Sequence, residues 1–234
     1  RQPSGNGCAK RRRLDQYSAS PLEPRPAGSM RVVRLTSGCD VLDRVLTGGF
    51  PCGELSEVTG EASCGKTQIC LQLLLAAQLP RHLGGLEGSA VYISTEGQVP
   101  RQRLEQIAME RPSFRQHFQL VDPLAHLFIK QVHTADELGL LLRQLPQLID
   151  KQLDATAETG TSGQSRRPIR LVVIDSIAAP YRSENGMGGT SKRRTLELLS
   201  HGARLKKLAN AGGPENSLAV VVTNQVTAVM TTDA

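Results

Sequence analysis

The sequence predicts an α/β fold in which a mostly parallel, twisted sheet carries helices on both faces. Three observations predict it. Strand-length apolar runs alternate with helix-length amphipathic stretches, the pattern of a parallel sheet built from crossover units. A glycine-rich turn, Gly60-Glu61-Ala62-Ser63-Cys64-Gly65-Lys66-Thr67, joins one such run to one such stretch. A continuous apolar run, Leu171-Val172-Val173-Ile174, ends in Asp175, as expected of a strand buried on both faces that delivers an acid to the sheet's carboxyl edge.

The elements follow in order. Residues 1–33 are rich in Pro, Ser, Gly and basic residues, offer almost nothing to bury, and read as a disordered segment or linker. From Ser37 a short helix is expected through Val41, Leu42, Val45 and Leu46, stopped by Gly48-Gly49. Leu55 to Thr59 is of strand length, and Lys66 to Leu79 has apolar residues at helical spacing. After the turn Gly84-Gly85 come a strand at Ala90 to Ser94 and a helix at about Arg101 to Glu110. Leu127 to Val132 is a third strand-length run and Ala135 to Leu153 is amphipathic. Residues 154–168 are polar and rich in Thr, Ser and Gly, a flexible insertion expected to lack fixed structure. After the run at 171–174, a helix from about Lys192 to Ala211 leads to a strand at Leu218 to Thr223. Five strands are fewer than a doubly wound nucleotide-binding sheet usually has, so further C-terminal strands are expected beyond residue 234. The first residue is Arg1 rather than Met, as a piece of a longer chain would show.

Composition bounds the function. With 39% hydrophobic and 21% charged residues among 234, the chain reads as a soluble, intracellular globular domain. No apolar run approaches the roughly 18 residues of a membrane helix and no charged-then-apolar leader opens the chain, so no membrane partner is expected. Five scattered cysteines without a C-x-x-C pair suggest reduced thiols rather than zinc or disulfides. The net charge of +6 comes from residues 1–34, where eight Lys or Arg face two acids; beyond them acids and bases balance. The run Lys10-Arg11-Arg12-Arg13 reads as a nuclear-localisation or nucleic-acid patch, or as a solvated tail.

The turn Gly60 to Thr67 fits G-x-x-x-x-G-K-[ST] at every fixed position, with the strand before it and the helix after it that the motif requires. Its glycines let backbone N–H groups curl round a polyphosphate. Lys66 is expected to reach the outer phosphates and the Thr67 hydroxyl to hold Mg²⁺. The expected ligand is a nucleoside triphosphate with Mg²⁺, bound by Gly60, Glu61, Ala62, Ser63, Cys64, Gly65, Lys66 and Thr67. Asp175, at the carboxyl end of a buried strand, is the second candidate for the metal. A lone acid there is also a helix N-cap, and the phosphate loop upstream favours the metal.

Several motifs in sequence order resemble the RecA-like strand-exchange recombinases of the eukaryotic branch, over roughly residues 34–229. They are Thr36-Ser37-Gly38-Cys39-Asp40-Val41-Leu42-Asp43 with Gly48-Gly49, Gly65 to Cys70, Tyr92-Ile93-Ser94-Thr95-Glu96-Gly97, Leu171 to Ser176, and Thr223-Asn224-Gln225-Val226. Asp175 to Arg182, and Gly84 to Gly88 running on to Tyr92 with Arg103-Leu104, look closest to the recombinase-paralogue type counted third among the X-ray-repair cross-complementing proteins. The resemblance implies a RecA-like P-loop NTPase core over residues 34–234, ATP as the triphosphate, and a nuclear role in homologous recombination. It also implies site roles. Arg103 and Gln68 would lie at the nucleotide, Glu96 would polarise the attacking water beside Lys66, and Gln225 would sense the γ-phosphate. Arg182, Lys192, Arg193 and Arg194 would contact single-stranded or branched DNA. A hexameric helicase or kinase of the same fold is disfavoured by Thr95-Glu96-Gly97 together with Asn224-Gln225.

The departures restrict this. Recombinases of this family that polymerise carry an F-x-x-A segment ahead of the core, whereas the first phenylalanine here is Phe50. The family's N-terminal helical DNA-binding module is also absent from these residues. Gly188 stands where the first DNA loop of the family has an inserting arginine, and residues 183–191 are nearly uncharged. Two functions of different class result: a DNA-dependent ATPase of recombination, or an ATP-gated assembly subunit paired with another recombinase paralogue and with the main recombinase filament, with slight turnover. Glu96 favours the first; the missing segment and Gly188 favour the second.

Overall fold

A computed structural model of the chain describes residues 32–157, 167–183, 191–213 and 217–226. They lie in a unit that begins at Val32. The basic patch at residues 10–13, Gly188 and most of the loop around it fall outside the described residues.

The alternation read from the sequence is a five-stranded, all-parallel sheet. Its strands are β3 (Leu55–Gly60), β4 (Ser89–Ser94), β5 (Leu127–Gln131), β6 (Ile169–Asp175) and β7 (Ala219–Gln225), in the order β3-β7-β6-β4-β5. Among the described residues β3 has one strand neighbour, β7. A short antiparallel pair precedes it, β1 (Arg34–Leu35) with β2 (Phe50–Pro51), enclosing α1 (Asp40–Val45). This pair has no legible period in the sequence. It depends on Gly49, whose φ is +111° and where a Cβ would come within 2.2 Å of the Leu35 carbonyl oxygen.

The helices are α2 (Lys66–Ala76), α3 (Arg101–Glu110), α4 (Pro112–Phe118), α5 (Ala135–Ala157), α6 (Ala179–Ser183) and α7 (Ser191–Asn210). They cover both faces. Side chains of alternate strand residues feed two separate cores. On one face Tyr92, Leu171, Val173 and Val221 pack with Leu71, Leu74 and Leu75 of α2 and Phe114 of α4. On the other Val91, Ile93, Val172, Ile174, Val220 and Val222 pack with Leu138, Leu142 and Leu145 of α5 and Leu205 and Leu208 of α7. The β6 run is thus buried on both faces, as its unbroken apolar character requires. Leu74→Ala, at a fully buried position of α2, is expected to destabilise the fold by about 3 kcal/mol through lost transfer energy and an unfilled cavity. Urea unfolding with an unchanged m-value checks it.

Two expectations need correction, and a third element was not expected. The first helix starts at Asp40 rather than Ser37. Ser37 is fully buried, and its backbone N–H and hydroxyl both donate to the Asp43 carboxylate, at 2.8 and 2.6 Å, an arrangement a helical Ser37 could not make. The insertion expected at 154–168 is ordered at both ends. Helix α5 continues through residues 154–157, since no glycine intervenes before Gly160. At the other end the Arg167 guanidinium donates to the Gln78 carbonyl at 2.8 Å, and the Ser89 N–H donates to the Pro168 carbonyl. The third is α4, which the sequence reading left out although Pro112 at its first position and Phe114 and Phe118 one turn apart signal it.

Candidate nucleotide site

The phosphate loop lies between β3 and α2, at the carboxyl edge of the sheet. Its tight path uses left-handed backbone at Ser63 (φ 61°) and Gly65 (φ 99°), the latter immediately before α2. Gly60 opens the loop where a Cβ would come within 2.6 Å of the Cys64 sulfur. Glu61, Ala62 and Ser63 form its exposed crest. The Lys66 ammonium folds back across the loop and donates to the carbonyls of Gly60 (3.0 Å) and Glu61 (2.7 Å). The unpaired N–H groups and positive dipole end of α2 aim into the same concavity.

Opposite the loop stand the ends of three strands. Register aligns Ser94 of β4 with Asp175 of β6, and Ile174 of β6 with Val222 of β7, so the next residues, Asp175 and Thr223, lie side by side. Alternation turns Tyr92, Asp175 and Thr223 to the face that carries α2. There the Thr67 hydroxyl donates to Asp175 Oδ2 at 2.7 Å, the Tyr92 hydroxyl to the same oxygen at 2.9 Å, and the Thr223 hydroxyl to Oδ1 at 2.5 Å. Burial, and then the Asp175 charge, push the Tyr92 phenol far above its usual range, so it stays a donor. Asp175 is 6% exposed, and a hard-oxygen pair of hydroxyl and carboxylate at this depth suits Mg²⁺. A glycine cradle closed by a lysine, facing that pair, fits a triphosphate with Mg²⁺.

Glu96 follows β4 on the bend that leaves the sheet. The Thr95 N–H donates to the Asp175 carbonyl and the Thr95 hydroxyl to the Ser176 carbonyl at 2.6 Å, which ties the Glu96 backbone to the end of β6. Its carboxylate forms an ion pair with Arg182 of α6. The pair joins residues far apart in sequence, and neither composition nor motif signals it. Arg182, expected at DNA, therefore sits at Glu96, the residue expected to position water. Gln225 pairs with Gly60 in the β3–β7 register and so stands at the root of the phosphate loop. Arg103 of α3 donates from Nε to the Gln68 side-chain oxygen at 2.9 Å, which brings both to the first turn of α2.

The remaining basic candidates lie apart, in the first turn of α7. Lys192 is exposed, Arg194 half-buried, and Arg193 donates to Glu197 at 2.9 Å. A buried bond links this helix to α6, between the Tyr181 hydroxyl and His201 Nδ1 at 2.8 Å, immediately beside Arg182. No disulfide joins the described cysteines. Cys52 and Cys70 are buried, and burial pushes the Cys52 thiol up to about 11. Among the described residues no helix is long and apolar enough to cross a membrane.

Fold and site together define an α/β core of the RecA-like type with a phosphate-loop motif, whose parallel sheet presents acid, hydroxyl and amide groups to one edge. A family model described as Rad51 matches residues 29–234, and the chain belongs to that family. It is 35% identical over 204 residues to the DNA repair protein XRCC3 homolog of Arabidopsis thaliana, covering 85% of this chain and 62% of that protein. It is 40% identical over 182 residues to DNA repair protein XRCC3 of Mus musculus, covering 76% and 48%. With DNA repair protein RAD51 homolog 2 of Mus musculus the identity is 36% over 214 residues, covering 90% and 56%. The resemblance to recombinase paralogues near the XRCC3 type thus holds over most of the chain, which spans about half to three-fifths of the length of these relatives.

Proposed function

We propose that residues 34–234 are the ATPase core of a recombinase paralogue that binds ATP with Mg²⁺, contacts single-stranded or branched DNA, and acts in nuclear double-strand break repair by homologous recombination, with weak DNA-dependent hydrolysis of ATP to ADP and phosphate. Residues 1–33 are read from their composition as a basic, Pro/Ser-rich segment or linker. The observation that carries the reading is the 2.7 Å bond from Thr67 to Asp175, which joins the phosphate loop to the buried acid at the strand end.

In this reading the loop N–H groups of residues 60–67 hold the phosphates and Lys66 swings from its carbonyl partners to the outer ones. Gln68 and Arg103 flank the base. Thr67 and Asp175 would hold Mg²⁺, which would supply charge neutralisation at the transferred phosphoryl group. Glu96 accepts a hydrogen bond from the attacking water and orients it in line, once its carboxylate leaves Arg182. Gln225, beside Gly60, reports the terminal phosphate through a neutral amide. Its strand leads into the residues after 226, while α6 and α7 carry Arg182, Lys192, Arg193 and Arg194 toward DNA phosphates.

A second reading, an ATP-gated assembly subunit of a heteromeric paralogue complex, is favoured by one observation: the Glu96 carboxylate is engaged by Arg182 rather than free for water. Turnover measured with and without single-stranded DNA, on protein of determined oligomeric state, separates the two. A DNA-stimulated rate in the protein alone supports the enzyme; turnover that waits for a partner paralogue supports the assembly subunit; loss of all nucleotide binding refutes both.

A further inference from the structure

The Asp175 carboxylate accepts from three hydroxyls, and only one of them, Thr67, belongs to the phosphate loop. An ionised carboxylate offers about four lone-pair directions. With Tyr92 and Thr67 on Oδ2 and Thr223 on Oδ1, about one direction remains, and the carboxylate can no longer rotate without breaking bonds in a dry site. Tyr92 is 1% exposed and Thr223 fully buried, so water cannot replace either donor. Each comes from a different strand, β4 and β7, on either side of β6, and each has the face orientation that the strand period imposes. A tyrosine in the wall of an apolar core has no packing need for its hydroxyl. Phenylalanine would fill the same space, and the hydroxyl donates to this acid.

We infer that Tyr92 and Thr223 are positioning residues for the metal: by fixing both oxygens of Asp175 from the two neighbouring strands, they orient its one remaining acceptor toward Mg²⁺ and set the Mg²⁺ requirement of nucleotide binding. The inference rests on the reading of this edge as an ATP site with Mg²⁺. Neither residue touches nucleotide. They act through Asp175, as groups behind metal ligands do elsewhere, where their loss typically costs about 10- to 100-fold in metal affinity.

The test titrates MgCl₂ into the full chain with a fluorescent ATP analogue, for wild type, Tyr92→Phe, Thr223→Val and Thr223→Ser. In Tyr92→Phe the half-saturating Mg²⁺ concentration is expected to rise about tenfold or more, while affinity for the analogue in EDTA stays at the wild-type value. A merely structural tyrosine would weaken both together or neither. Thr223→Val is expected to raise the requirement likewise, and Thr223→Ser, which keeps the hydroxyl, to restore it. The Thr223 pair decides the matter if Tyr92→Phe does not fold. Unchanged Mg²⁺ dependence in Tyr92→Phe, or in Thr223→Val where only that variant folds, overturns the inference and leaves the ATP reading standing. A wild-type protein without Mg²⁺-dependent nucleotide binding overturns both.

Discussion

Lys66→Ala lowers the affinity for ATP by at least about 100-fold, because hydrogen bonds to charged groups contribute about 1.5–3 kcal/mol and the lysine also supplies a full charge facing the outer phosphates. The fold should survive. The ammonium donates to the Gly60 and Glu61 carbonyls and, at 3.9 Å, to the Cys64 sulfur of the same loop, where water can take its place, so a melting-temperature shift beyond a few degrees is not expected. Isothermal titration of wild type and variant with ATP and Mg²⁺ makes the measurement, and circular dichroism establishes that both are folded. Equal affinities would falsify the phosphate-loop assignment. Lys66→Arg sharpens the outcome. It keeps the charge but offers a wide planar fork in place of a compact ammonium, so affinity should recover only in part. A full recovery would mean that charge alone matters and that the loop does not shape the contact.

Why the loop, the acid and the sheet were legible, and much of the rest was not, follows from how far each feature reaches along the chain. Gly60 to Thr67 is a contiguous set of residues with one mechanical role, and Leu171 to Asp175 is one strand whose burial shows in its composition. All five strands of the sheet stand where apolar runs of that length were found, to within two residues at most ends. The hydroxyls around Asp175 are another matter. Strand period gives which face Tyr92 takes within β4 and Thr223 within β7, but not the register that sets them both beside Asp175. That register comes from pairings between strands far apart in sequence. The ion pair of Glu96 with Arg182 has the same origin, since Glu96 follows β4 and Arg182 lies on α6 after β6, strands that are neighbours in the sheet but far apart in sequence. Two-residue strands such as β1 and β2 are too short to show a period at all. The basic residues of α7 were legible as charge, whereas the pairing of Arg193 with Glu197 and the half-burial of Arg194 depend on their place on the helix.

Glu96→Gln slows ATP turnover by about 100- to 10,000-fold, the usual contribution of a positioned general base, and leaves ATP affinity within about twofold of wild type. The amide keeps the size of the side chain and loses the charge that orients the water, so an effect on turnover with binding intact belongs to the transition state alone. Single-turnover hydrolysis with protein in excess reads it directly; an undiminished rate removes Glu96 from the chemistry. Arg182 supplies the other half of the argument. Its ion pair with Glu96 joins side chains that are 42% and 43% exposed. Exposed pairs contribute about 0–1 kcal/mol, so the contact biases the carboxylate without locking it. Arg182→Ala should therefore raise the DNA-independent rate by no more than about fivefold, the factor that about 1 kcal/mol allows. Added salt, which screens the pair, should reproduce part of the gain in wild type and none in the variant. If Arg182→Ala instead lowers turnover in the absence of DNA, the guanidinium is assisting the reaction, as a cation placed on transition-state charge would, and the contact with Glu96 is a resting position for a group used in catalysis.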